Sequence, residues 1–295
     1  MARNAFSCED GRVKELKNRV IVITGAAGGI GRALALESAR RGLRVVLSDI
    51  DPERLAVAVG EVEALGAEAI GIPADVGVAA SVEQLAERAY ARFGAVHIVI
   101  NNAGIASSGA AWKLPLETWE RTLRINLYGV VYGVHSFLSR MVEAGEPGHV
   151  VNVASAAGLI TTPGFAAYSA SKFGVVGLSE ALFHDLKLRG LEIGVSLLCP
   201  SFVQTRIAVD SEAPTAGADA IDAKVEASVR KAVEHGIPAE EVANQVFEAI
   251  LEDRFYILTH DDTRRAVAQR SEDILTGRNP TMASMERRPQ RAPQK

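Results

Sequence analysis

Apolar residues along this chain fall into a regular alternation of two patterns. Short runs that are apolar on both faces read as buried parallel strands, and between them lie 10–15-residue stretches with apolar positions at helical spacing. The strand runs are Arg19–Thr24, Arg44–Asp49, Ala69–Ala74, Val96–Ile100, His149–Ala154, Leu191–Cys199 and Arg254–Thr259. The helical runs extend from the glycine turn through Arg41, then cover Pro52–Leu65, Ser81–Phe93 with Ser81 as N-cap, Glu117–Met141, about Ala166–Leu188, Pro238–Leu251 and Asp262–Leu275. Such alternation predicts an α/β fold: one Rossmann-type, doubly wound, seven-stranded parallel sheet with helices on both faces. Asp51 before Pro52 has the form of a helix N-cap with proline at the first helical position. A single domain over 1–278 is expected. The Ala208–His235 stretch is rich in Ala, Asp, Glu and Ser and interrupts the alternation; with its flanks, about 206–236, it reads as a substrate lid or as a plain surface insertion. Residues 279–295 are polar and proline-containing and read as a disordered tail.

Composition adds exclusions. The chain has 295 residues, 48% hydrophobic, with a net charge of −4, so it lacks a basic footprint for nucleic acid. No 18-residue apolar run predicts a membrane span, and Met1–Glu15 lacks the apolar core of a signal peptide, so a cytoplasmic location is expected. The two cysteines, Cys8 and Cys199, suggest neither a disulfide framework nor a metal site, and no metal is expected.

Candidate chemistry lies at the predicted C-terminal ends of the strands. After the first strand comes Gly25-Ala26-Ala27-Gly28-Gly29-Ile30-Gly31 and then a helix. Strand, glycine turn and helix together suit a pyrophosphate, because backbone can approach it closely and the helix N-terminus favours its charge. The spacing is GxxxGxG and not the standard GxGxxG. Asp49 ends the second strand 24 residues after Gly25, where a carboxylate can accept hydrogen bonds from an adenosine ribose. Asn126 sits inside a helical run, although asparagine is a poor interior helix residue. Tyr168 and Lys172 are one helical turn apart. A cation there favours the phenolate, lowers the phenol pKa and makes the pair an acid/base candidate for an alcohol or ketone.

Taken together, TGAAGGIG at 24–31, Asp75, NNAG at 101–104, Asn126, Ser155 and YSASK at 168–172 resemble the classical short-chain dehydrogenase/reductase family, over about Leu16–Ile207. Ser155 precedes Tyr168 by 13 residues, which is that family's spacing. The resemblance implies an NAD-dependent oxidoreductase that interconverts a secondary alcohol and a ketone. Tyr168 would be the acid/base, Lys172 would lower its pKa and hold the nicotinamide ribose, Ser155 would bind the substrate oxygen, and Asn126 would hold a water joining Lys172 to solvent. The cofactor set implied is Gly25, Gly28, Gly29, Ile30, Gly31, Asp49, Asp75, Val76, Asn102, Ala103, Gly104, Tyr168, Lys172, Pro200, Val203 and Thr205. Ser201 stands where the family usually has glycine after the sixth strand. A finer likeness, in GEPGH at 145–149, HGIPAEEVA at 235–243 and FYILTH at 255–260, is to members that oxidise bulky aryl alcohols. NAD is expected over NADP, because Asp49 would oppose a 2′-phosphate and neither Ile50 nor the glycine turn supplies a cation. A physiological ketone reductase and a catalytically silent dinucleotide sensor are the alternatives. The resemblance also implies a homotetramer or homodimer formed through the helices of 117–141 and 166–188; a monomeric mass in light scattering would refute that.

Overall fold

The computed structural model describes residues 13, 15–207 and 220–282. Seven strands form one parallel sheet: β1 (Val20–Thr24), β2 (Arg44–Asp49), β3 (Ala69–Pro73), β4 (Ile98–Asn101), β5 (Gly148–Val153), β6 (Ile193–Cys199) and β7 (Tyr256–Leu258). Their order is β3-β2-β1-β4-β5-β6-β7, and every pairing is parallel. Strand order reverses between β1 and β4, and that switch point opens a crevice at the carboxyl ends of the strands.

Helices cover both faces. On one lie α1 (Gly29–Arg40), α2 (Pro52–Ala64) and α9 (Ala239–Glu252), packed on Ile21, Ile23, Val45, Leu47 and Phe247. On the other lie α3 (Ala79–Phe93), a composite helical rod and α7 (Ala166–Leu188), packed around Val22, Val99, Phe137 and Leu186. Because both faces are covered, β1 and β6 are buried along their whole length and largely apolar, without alternation, Thr24 and Ser196 being their polar members.

The rod is less regular than its pattern predicts. It runs as α4 (Leu116–Leu123), a π turn at Arg124–Tyr128, α5 (Gly129–Gly133), a second π turn at Val134–Leu138 and α6 (Ser139–Ala144). Asn126 lies in the first π turn. A further difference is at α3, which begins two residues before Ser81. Val78 occupies the N-cap position, while the Ser81 hydroxyl accepts from the Asp75 N–H at 3.0 Å. Asp51 does cap α2, accepting from the N–H groups of Glu53 and Arg54, with Pro52 at the first position.

Two further helices complete the described chain: α8 (Ala220–Glu234), between β6 and α9, and α10 (Asp261–Leu275). Of the expected lid, 208–219 lies outside the described residues, as do 283–295 of the expected tail. Just past α10 the chain is tied back, the Thr281 N–H donating to Asp273 Oδ2 at 2.9 Å.

Candidate active site

The glycine turn is defined by absences of space. A Cβ on Gly31 would lie 2.0 Å from the Gly25 carbonyl oxygen and 2.6 Å from Asn102 Nδ2, so only glycine lets α1 start this close to the end of β1. Gly25 takes φ +65°, with the Ala103 Cα pressed against it. The N-cap of α1 is Gly28, which has no side chain to satisfy the first-turn N–H groups. Those groups are orphan donors of the kind that bind phosphate oxygens.

The loop after β4 clamps this turn. Asn102 Nδ2 donates to the carbonyls of Thr24 (2.9 Å) and Gly25 (3.2 Å), and the Thr24 hydroxyl accepts from the N–H groups of Asn102 and Ala103. The Asn102 side chain therefore shapes the turn. Thr24 was missed as a functional position; its signal is that it is the last residue of β1, directly before the first glycine. Asp49, the last residue of β2, accepts from Ala27 N–H at 3.0 Å and Asp51 N–H at 3.2 Å, which places its carboxylate beside the turn. The Asp75 carboxylate holds its own loop by accepting from Gly77 N–H at 2.8 Å, and Val76 packs against Gly129.

Past β6, Pro200 contributes its carbonyl, which accepts from Ala156 N–H at 2.8 Å. Val203 is buried and pairs with Ile237, while Thr205 sits against Gly29. The loop over 200–205 thus closes over the start of α1. Ser201 does not disturb this path, since no left-handed backbone is found there.

The second cluster lies at the end of β5. Ser155 caps a single 3₁₀ turn, accepting from Ala157 N–H at 3.1 Å. Its hydroxyl donates to the Pro200 carbonyl at 3.5 Å and lies close enough to the Tyr168 phenol to favour the phenolate. Tyr168 is in the first turn of α7, held edge-on by Phe165 at 6.4 Å between ring centroids. Lys172 follows one turn later, buried at 3% exposure, with Nζ donating to the Val153 carbonyl at 2.9 Å. Beneath it lies Cys199, a fully buried thiol whose pKa burial pushes up to about 12. Cys8 lies outside the described residues.

Asn126 joins the two clusters. Its amide accepts from Ile105 N–H (2.8 Å) and donates to the Ile105 carbonyl (2.9 Å) and to Ser171 Oγ (3.1 Å). The π turn thus ties the loop after β4 to α7. Ser171 completes the link by donating to the Tyr168 carbonyl at 2.7 Å. A Cβ on Gly104 would sit 3.2 Å from Asn126 Oδ1 and 3.4 Å from Lys172 Nζ, so this glycine lets the loop close on both.

Burial raises the Tyr168 pKa above its ordinary value, and only Ser155 opposes that. Lys172 Nζ lies over the Tyr168 ring, 5.9 Å from its centroid, while donating to the Val153 carbonyl. Burial also lowers the Lys172 pKa to about 8, so the cation is itself close to losing its proton.

Arg54 was also missed. Its Nη2 lies 2.7 Å from where a Cβ on Gly28 would be, so its guanidinium covers the glycine turn from the first turn of α2. No motif carries that signal, because it depends on where α2 crosses the turn.

The family model described as short chain dehydrogenase matches residues 19–215. Among curated proteins, the chain is 35% identical over 283 residues to a CLA biosynthesis dehydrogenase/reductase of Lactiplantibacillus plantarum, covering 93% of this chain and 99% of that protein. It is 34% identical to a 1-deoxy-11-beta-hydroxypentalenate dehydrogenase of Streptomyces exfoliatus, covering 88% of this chain and 89% of that one. Among solved structures, a short chain dehydrogenase/reductase from Burkholderia phymatum in complex with NAD superposes with a TM-score of 0.87 at 42% identity, covering 90% of this chain and 98% of that one.

Proposed function

The chain belongs to the short chain dehydrogenase family of oxidoreductases, and from that premise we propose that it is an NAD-dependent enzyme interconverting a secondary alcohol and a ketone. The observation that carries the proposal is the convergence of Ser155, Tyr168 and Lys172 at the end of β5, within a crevice whose other wall is the glycine turn. NAD fits the residues present. The turn leaves no room for side chains at Gly25 and Gly31, offers uncapped N–H groups over 29–31, and carries a carboxylate, Asp49, for ribose hydroxyls. Asp75, Val76, Ala103, Gly104 and Thr205 border the same crevice and would hold the rest of the dinucleotide.

When bound, NAD supplies the hydride acceptor, or as NADH the donor. The chain's own residues handle the proton. Ser155 donates to the substrate oxygen and holds it at the Tyr168 phenol. Tyr168 takes the hydroxyl proton during oxidation and returns it during reduction. Since burial holds the free phenol high, it needs added positive charge nearby to act as a base near neutral pH. Lys172 supplies part of that charge while protonated, below a pKa of about 8. The Asn126 side chain is committed to Ile105 and Ser171, so its role is to position the π turn and Ser171 under Tyr168. A hydrophobic, aryl-sized substrate is supported by the Phe165 ring beside Tyr168 and by Val225 of α8 against Gly164.

The test follows NADH absorbance with a panel of aliphatic and aryl secondary alcohols and ketones. Turnover should appear in wild type and fall by at least ~10²–10⁴-fold in Tyr168→Phe, with NAD binding retained. A Tyr168→Phe enzyme near wild-type rate would remove Tyr168 from the acid/base role. NAD binding without turnover on any of the panel would favour a sensor.

A further inference from the structure

The loop that follows β4 is tied down at alternate residues. Asn126 of the rod takes both backbone groups of Ile105, the N–H at 2.8 Å and the carbonyl at 2.9 Å. Thr122, one helical turn earlier on the same face of the rod, takes Ser107: the Thr122 hydroxyl donates to Ser107 Oγ at 3.0 Å. Both residues are buried, Thr122 completely, so water does not compete for this bond. Thr122 is anchored in turn on its own helix, with Oγ1 2.7 Å from the Thr118 carbonyl oxygen. Two residues beyond Ser107, Gly109 reaches the chain before α7. Its N–H donates to the Gly164 carbonyl at 2.8 Å, and it pairs with Phe165 as a parallel bridge, at a φ of +140° that favours glycine. Phe165 is the N-cap residue of α7; its carbonyl accepts from the Ser169 N–H at 2.8 Å, and its ring meets Tyr168 edge-on. A continuous set of bonds thus runs from the buried hydroxyl of the rod to the aromatic wall of the site. Alanine and valine would fill the two positions without burying a hydroxyl, but they would not fix where the loop lies along the rod.

We infer that Ser107 and Thr122 are positioning residues for the substrate. Their hydroxyl pair sets the 105–109 loop and, through the Gly109–Phe165 bridge, the place of the Phe165 ring relative to Tyr168. Neither residue touches a reacting group; both act through Phe165. An aryl secondary alcohol must lie against that ring while its hydroxyl reaches Tyr168, so it depends on the position of the wall. A short aliphatic alcohol reaches Tyr168 without it. The glycine turn is insulated from the pair, because Asn102 and Thr24 clamp it and Asn126 holds Ile105 separately. The pair therefore governs discrimination between alcohols and leaves the cofactor side alone. The inference rests on reading Tyr168 as the acid/base of alcohol oxidation.

The experiment compares wild type, Thr122→Val, Thr122→Ser, Ser107→Ala and the Ser107→Ala/Thr122→Val double variant, all in the full chain. NADH formation is followed with methylphenylcarbinol and with isopropanol, and the Kd of NAD⁺ is measured by calorimetry. Thr122→Val keeps the volume and loses the bond; it should lower kcat/KM for the aryl alcohol by at least about tenfold, since misplacement of a positioning group by about 1 Å can cost on the order of 10²-fold. The isopropanol value should fall by less than about threefold and the Kd of NAD⁺ should stay within about twofold, because neither depends on the wall. Thr122→Ser, which keeps the hydroxyl, should restore the aryl value. The double variant should lose no more than the worse single one, because both substitutions remove the same bond. Should Thr122→Val not fold, Ser107→Ala breaks the bond from the loop side; failure of that variant to fold as well would make the pair a fold element and overturn the inference. Equal losses on the two alcohols, a matching loss of NAD⁺ affinity, additive losses in the double variant, or no loss at all would each overturn this inference alone. A wild-type protein that turns over no secondary alcohol would overturn the functional reading and this inference with it.

Discussion

Replacing Lys172 with methionine should abolish turnover and yet flatten the pH dependence of stability, because the buried lysine is a liability to the fold. Lys172 is 3% exposed, and burial lowers its pKa from 10.5 to about 8. With the folded value below the unfolded one, the unfolded chain binds more protons between those two values, so wild-type stability rises with pH through that window. The cost of the buried charge is fully present below about pH 8 and gone above about pH 10.5, and a shift of this size corresponds to about 3 kcal/mol. Methionine fills a similar volume without the charge but leaves the Val153 carbonyl, now bonded at 2.9 Å, without its donor. That loss is worth about 1–3 kcal/mol at every pH. The variant should therefore lie between equal stability and about 2 kcal/mol more stable than wild type near pH 7, and be less stable near pH 10. The difference between the two pH values is the sharper quantity, because the Val153 contribution cancels in it; about 2–3 kcal/mol is expected. Urea unfolding of both proteins, followed by circular dichroism near pH 7 and near pH 10, measures it. Stability differences that stay parallel across that range would show that Lys172 is not a buried charge and would refute the reasoning.

Three further outcomes are expected. Gly31→Ala forces a methyl to 2.0 Å from the backbone oxygen of Gly25, which cannot give way without moving the turn, and should cost about 1–3 kcal/mol in stability together with most NAD affinity. Gly28→Ala meets only the flexible end of Arg54 at an extended φ of −164°, so in the same melting assay it should change stability by less than about 1 kcal/mol; equal damage from both would mean that backbone crowding does not set the turn. Replacing 206–236 with a short Gly/Ser linker should raise KM for the alcohol far more than Kd for NAD, and equal losses would place the segment in the cofactor site instead of over the substrate.

How far the fold was legible depends on what kind of signal each element carries. Parallel strands buried on both faces read directly from runs such as Val20–Thr24 and Ile193–Cys199, because a short, largely apolar run without period-two alternation suits a strand covered on both sides. Asp51 before Pro52 was equally plain, since a cap is a local contract between adjacent residues. Ser81 misled for the same reason in reverse: it has the chemistry of a cap, but its hydroxyl is claimed by Asp75, six residues earlier, and the helix starts without it. The π turns in the rod carry no residue signature of their own. Their trace was the misplaced Asn126, and what keeps it there is a set of three bonds to Ile105 and Ser171 that no periodicity could announce.

The candidate site shows the same division between spacing and space. Tyr168, Lys172 and the glycines were found by spacing along the chain, yet the partners that decide their chemistry come from elsewhere in the fold. Val153 accepts from the Lys172 ammonium and fixes it over the Tyr168 ring, and Asn102 closes the glycine turn. Behind them runs a buried polar chain in which Asn101 Nδ2 donates to Asn152 Oδ1 and Asn152 Nδ2 to Ser179 Oγ, at 2.9 and 3.0 Å. Apolar side chains would fill these positions without the cost of leaving an amide unpaired. The amides instead bind β4 to β5 and β5 to α7, the helix that carries Tyr168 and Lys172. They lock the height of that helix against β5, and so set where Lys172 meets the carbonyl of Val153, the residue next to Asn152. Packing alone would leave that height free to slip with the exchange of one methyl for another. A directional bond at each contact holds it to one value, which is what an acid/base pair one helical turn apart requires.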